Sequence, residues 1–95
     1  MVYQKRDLNT AGNISIYPNP ATGSVNIDLN AVSASAGVIS ITDIQGKQVA
    51  ASTIGIVEGA NHFELDISGL QPGIYFVKVV DNNSTVYPVT KVQKM

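Results

Sequence analysis

The sequence predicts an all-β protein: one antiparallel Ig-like β-sandwich of about seven strands, in a single domain. Apolar residues recur at every second position along most of its length, the period of an extended strand with one buried face rather than the period of a helix. Turn-forming residues interrupt these runs at intervals of roughly 8–12 residues, the spacing of an all-β sandwich or barrel. A chain of 95 residues that is 44% hydrophobic and 14% charged holds enough apolar material for one core and too little for two.

The elements follow in chain order. Ile14 and Ile16 share one face of a short first strand. The segment Tyr17-Pro18-Asn19-Pro20-Ala21 then sets down two residues that lack a backbone donor, so it cannot extend a ladder and forms a rigid elbow before a strand that begins near Ser24. Val25, Ile27 and Leu29 line that second strand. A turn is expected at Ala36-Gly37. Gly37–Ile41 and Ile74–Val80 are apolar on both faces, which places them centrally in their sheets. Further turns are expected at Gln45-Gly46-Lys47 and at Glu58–Asn61, followed by a strand lined by Phe63, Leu65 and Ile67. Pro72-Gly73 suits the two central positions of a type II turn, where proline presets the first φ and glycine accepts the positive φ of the second. Asp81–Ser84 reads as another turn, with Asn82-Asn83 able to take left-handed conformations. Pro88 cannot donate to a ladder, so Thr85–Val92 belongs at a sheet edge or a bulge.

Composition narrows the chemistry. Six basic and seven acidic residues leave a net charge of −1 with no block of like charge, so the chain carries no electrostatic footprint for nucleic acid. There are no cysteines, which removes disulfides, thiolate metal sites and cysteine nucleophiles. No cofactor is expected, for no phosphate-binding glycine loop or metal-ligand spacing is present. The single histidine, His62, is expected to face solvent from a strand. Ser68, His62 and Asp66 would have to converge from nearly adjacent strand positions to act as a triad. Glu64 and Asp66 share a strand face, where a solvated surface is the simpler reading than paired acid–base catalysis. A catalytic site is therefore not expected. Tyr3, Tyr17 and Tyr87 are candidates for exposed rings, and a sugar-binding or fibronectin-like accessory module of a secreted enzyme is the alternative reading on that account. The opening residues include basic side chains but no apolar stretch after them, so no secretion leader is expected in the chain itself.

Three stretches, Tyr17–Leu29, Ile39–Val49 and Leu65–Val80, with the short basic tail Lys91-Val92-Gln93-Lys94-Met95, resemble in order and spacing the C-terminal sorting domain of the type IX secretion system of Bacteroidetes. The resemblance covers residues 14–95. It rests on Tyr17, Pro18, Asn19, Pro20 and Ala21 in the first motif, Asp43 and Gly46-Lys47 in the second, and Leu70, Pro72, Gly73 and Tyr75 in the third. The resemblance implies a folded address label without chemistry of its own. Residues 1–13 would then be the linker from an upstream cargo and residues 14–95 the sorting domain. It further implies that Lys91, Val92, Gln93, Lys94 and Met95 are read by the outer-membrane translocon. Cleavage by a cysteine endopeptidase, or sortase, would fall in the linker at Asp7–Asn13, with Asp7, Leu8, Asn9 and Thr10 as the central candidates. The cargo would travel through the periplasm to the cell surface or the medium. If the tail forms an edge strand, its unpaired backbone groups would invite strand addition by a translocon partner or weak homodimerisation.

Overall fold

A computed structural model describes residues 13–82 and 87–95. Seven strands form: β1 (Asn13–Tyr17), β2 (Ser24–Ala31), β3 (Ser35–Asp43), β4 (Gln48–Ile56), β5 (Gly59–Asp66), β6 (Gly73–Asp81) and β7 (Thr90–Lys94). They make two antiparallel sheets, one in the order β1-β2-β5 and the other β4-β3-β6-β7. The doubly apolar runs of β3 and β6 lie inside the larger sheet, as their sequence predicts, and β7 takes an edge. Pro88 falls in the segment just before β7.

Alternation produces the core. Val25, Ile27, Leu29 and Ala31 of β2 meet Ile39 and Ile41 of β3 and Val77 and Val79 of β6, all buried. Ile27, Ile39 and Ile41 are among the largest fully buried side chains, and each contributes about 1.5–3 kcal/mol by leaving water. In β4 the register places Ala50, Ser52, Ile54 and Ile56 on the inner side, opposite Ile41, Ile39, Gly37 and Ser35. Two of those four are small or polar, so this strand has almost no period-2 signature of its own.

Three turns lie elsewhere than expected. Ala36-Gly37 is not a turn: both residues belong to β3, and the chain reverses between the sheets at residues 32–34. Gly37 is required there by close approach, because a Cβ would sit 2.9 Å from the Val80 carbonyl oxygen and 3.0 Å from Ile56 Cδ1. Pro72-Gly73 is not the centre of a type II turn either. Gly73 opens β6 with φ of 158°, nearly extended, and the tight turn lies earlier, where the Leu70 amide donates to the Ile67 carbonyl at 3.0 Å. Asp66 draws the turn to that position: its Oδ1 accepts from the Ser68 amide at 2.9 Å and the Ser68 hydroxyl at 2.7 Å, closing a side-chain-capped turn. Between β4 and β5 the chain crosses sheets at Val57-Glu58, and Gly59 already belongs to β5. The Asn61 side chain braces that corner through the Val57 amide and carbonyl, both at 2.9 Å, and the Gly59 carbonyl at 3.0 Å.

The Gln45-Gly46-Lys47 turn stands where expected. Gly46 takes φ of 84°, left-handed backbone that glycine adopts without a Cβ penalty. Asp43 holds the turn: its Oδ1 accepts from the Gln45 amide at 2.9 Å and the Lys47 amide at 3.0 Å, and its own amide donates to the Lys47 carbonyl at 2.9 Å. Asn82 donates through its amide to the Ala36 carbonyl at 3.0 Å, whereas Asn83 and Ser84 lie outside the described residues.

Candidate functional site

The tail forms β7, and its side chains divide by alternation. Val92 and Lys94 are buried, at 3% and 9% exposure, while Lys91, Gln93 and Met95 point outward. The inner edge of β7 pairs with β6 in the register Thr90–Val77, Lys91–Phe76, Val92–Tyr75, Gln93–Ile74 and Lys94–Gly73.

Its outer edge is not open, contrary to the expectation of unpaired backbone along the tail. The proline elbow lies against it. Asn19 Nδ2 donates to the Lys91 carbonyl at 2.9 Å, and Asn19 Oδ1 accepts from the Gln93 amide at 3.0 Å. Two residues on, the Ala21 amide donates to the Gln93 carbonyl and the Ala21 carbonyl accepts from the Met95 amide, each at 2.8 Å. Ala21, fully buried, thereby forms a parallel bridge with Lys94. The Asn19 carboxamide carries one donor and one acceptor side by side, as a peptide group does, and so substitutes for a strand residue. Both flanking prolines follow cis peptide bonds and bring no donor of their own. A stiff segment near the start of the domain is thus explained: it covers the edge of its last strand. Strand addition along Lys91–Met95 is blocked by this cover.

The three motif regions of the sequence meet here. Asn19 and Ala21 of the first touch the outer edge of β7. Gly73 and Tyr75 of the third pair with Lys94 and Val92 on its inner edge, and Asp43 of the second pairs with Tyr75 on the next strand. The Tyr75 hydroxyl donates to the Gln71 carbonyl at 2.6 Å, tying the Pro72 segment to β6. Pro18, Pro20, Gly46 and Pro72 serve as backbone devices around this end. Asp7, Leu8, Asn9 and Thr10 lie outside the described residues. The tail and the turn motifs were both marked in the sequence, but their contact was not. The one local sign of it was a lone asparagine between two prolines.

A second polar group occupies the outer face of the smaller sheet. His62 Nδ1 lies 2.5 Å from Asp28 Oδ1, and the Tyr17 hydroxyl donates to Asp28 Oδ2 at 2.7 Å. The His62 contact, then the Tyr17 hydroxyl, hold the Asp28 carboxyl below its ordinary range, and the same bond to Asp28 raises the Tyr17 phenol. These groups are largely exposed, and His62 faces solvent as expected. Asp66 is lowered by its Ser68 hydroxyl and amide partners. The Ser24 hydroxyl donates to Glu64 at 3.2 Å. Ser68, His62 and Asp66 do not form a triad, since Ser68 bonds Asp66 while His62 is held by Asp28. No cluster of three or more metal-ligating side chains occurs among the described residues. Tyr87, expected as an exposed ring, is 3% exposed, Tyr75 is half-buried and Tyr3 lies outside the described residues. Tyr17 is therefore left without a neighbouring tyrosine platform among them.

The model of the secretion system C-terminal sorting domain family matches residues 15–93. No curated protein matches the sequence. Among solved structures, the crystal structure of dimeric latent PorU from Porphyromonas gingivalis superposes with a TM-score of 0.75 at 17% identity. The match covers 88% of this chain and 9% of that one, so it speaks for the fold of one small part of a much longer protein. With three sequence motifs converging on a structured tail, and a family match over nearly the whole sandwich, the chain belongs to the C-terminal sorting domain family of the type IX secretion system.

Proposed function

We propose that the domain is read as a folded label through the outward side chains of its tail, Lys91, Gln93 and Met95, and that it is removed from its cargo within Asp7–Asn13 by a cysteine endopeptidase after crossing from the periplasm. The coarser role follows from the family: a sorting signal, joined to an upstream cargo, engages the secretion machinery and sends that cargo to the cell surface or the medium. The domain boundary proposed with it has residues 1–13 as linker and residues 14–95 as label. The observation that carries the finer reading is the anchoring of the tail on both edges. Pairing with β6 on one side and the Asn19–Ala21 cover on the other fix the backbone from which three side chains project, so that a partner has only side chains left to order. A polar stretch ahead of β1 suits extended binding by a protease.

The test is a fluorescent reporter carrying an inner-membrane leader and residues 1–95 in a host with an active type IX system. It is compared with a variant in which Lys91, Gln93 and Met95 are replaced by alanine. Export of the first and periplasmic retention of the folded second are expected. Retention of the unaltered fusion would overturn the sorting reading, and equal export of both would overturn the role of these three side chains. Mass spectrometry of the exported reporter reads the cut, which a site outside Asp7–Asn13 would displace.

A further inference from the structure

The described lysines are confined to one sheet, whereas carboxylates occur on both. Asp28, Glu64 and Asp66 lie on the outer face of the smaller sheet. All described lysines belong to the larger sheet or its β3–β4 turn: Lys47, Lys78, Lys91 and Lys94. On the outer face of that sheet the register lays Val38 beside Val80, Ser40 beside Lys78 and Thr42 beside Phe76, with Phe76 in turn beside Lys91. Val38 and Val80 are 42% and 47% exposed. Asp43 and Asp81 stand at alternate positions of β3 and β6, off this face, and the Asp81 side chain is buried. The result is a face on which Lys78 stands between the Val38–Val80 pair and Phe76, with Lys91 beside Phe76, among the described residues free of carboxylates and continuous with the outward side chains of the tail.

We propose that this face, built from Val38, Val80, Phe76, Lys78, Lys91 and Gln93, is the docking surface for the export partner, and that the partner presents carboxylates flanked by apolar side chains. The inference deepens the sorting reading and rests on it. Val38 and Val80, paired across the two central strands and both partly exposed, give the face an apolar contact next to its lysines. Lys78, in the middle of the face, and Lys91, beside Phe76, select an acidic partner and speed its encounter. A second copy of the chain is a poorer occupant. Its acidic face supplies charge, but it carries serines, asparagines and the Asp28–His62 pair where apolar side chains are needed to meet Val38, Val80 and Phe76. Lys78 stands outside the tail in sequence, so the surface assigns a recognition role to a residue that tail-based reasoning omits.

The experiment is the same reporter export assay with Lys78→Glu, with Val80→Ser, and with Glu64→Lys on the opposite face, each purified domain first checked by thermal melting. Export of the unaltered reporter, a fall of about tenfold or more with Lys78→Glu, as charge reversal at an acidic contact gives, a similar fall with Val80→Ser, and no change with Glu64→Lys are expected. Full export of folded Lys78→Glu while the unaltered reporter is also exported would overturn the surface and leave the sorting role intact. An equal fall for Glu64→Lys would overturn it as well. Retention of the unaltered reporter is the separate failure of the sorting reading. Concentration-dependent dimers of the isolated domain that Lys78→Glu abolishes would assign the face to a second copy and overturn the acidic partner.

Discussion

Asn19 joins residues 72 and 74 positions away through one carboxamide. Replacing it with alanine removes both bonds and returns the Lys91 carbonyl and the Gln93 amide to water. Each such bond contributes about 0.5–1.5 kcal/mol net, so Asn19→Ala should destabilise the domain by about 1–2 kcal/mol. For a domain of this size that corresponds to a melting point lower by about 4–8 °C per kcal/mol, measured by circular dichroism. Asn19→Asp keeps the acceptor for Gln93 but sets a second oxygen against the Lys91 carbonyl, and should not recover the loss. Asp28 gives a pH signature. Its folded pKa lies below the ordinary carboxylate value because His62 and then Tyr17 bond the carboxylate. A depressed folded pKa adds stability that is present above the unfolded value and is lost as pH falls through the folded one. Urea midpoints should therefore fall on acidification below about pH 4, and less steeply in Asp28→Asn than in the parent. Equal acid slopes in the two proteins would contradict the assignment.

Strands differ in how plainly the sequence marks them. β2 alternates Val25, Ile27 and Leu29 with Asn26 and Asp28, so both its type and its inner face can be read directly. β4 cannot be read this way, because its inner positions include Ala50 and Ser52 and its neighbour β3 provides most of the apolar volume. Turn positions were hardest where a side chain decided between neighbouring glycines. Asp66 fixed the reversal near Ser68 rather than at Pro72-Gly73, and glycine at position 37 answers to packing between strands rather than to turning. That last point is testable on the β3–β6 pair. Gly37→Ala places a methyl 2.9 Å from a backbone oxygen of β6, which cannot move without shifting the ladder. Overpacking of this kind costs about 1–3 kcal/mol, and a urea titration should show the loss as a lower midpoint with an unchanged slope.

The candidate site was legible residue by residue and hidden as an assembly. Every element of it was marked in the sequence as a turn motif or tail. The cover of β7 by the elbow is a contact between residues 19–21 and 91–95, and no local pattern encodes a pairing so distant. The same closure gives the tail a structural duty. Val92 lies in the core, β7 supplies the partner of Gly73–Val77, and Ala21 has its bridge to Lys94. With no cysteines to brace the chain, stability rests on packing and ladders alone, and a small domain has only a few kcal/mol in hand, about 0.05–0.15 per residue. Removing residues 91–95 withdraws a buried valine, uncovers the edge of β6 and strips the partners of Asn19 and Ala21 together. The truncated domain should therefore melt much earlier or lose its cooperative transition, whereas Lys91→Ala, whose side chain faces solvent, should melt as the parent does. If the truncated domain melts with the parent, the tail is an appendage rather than a strand of the sandwich. If it unfolds, loss of export on truncation reports a broken fold, and only the outward side chains, changed one at a time in an intact sandwich, report recognition.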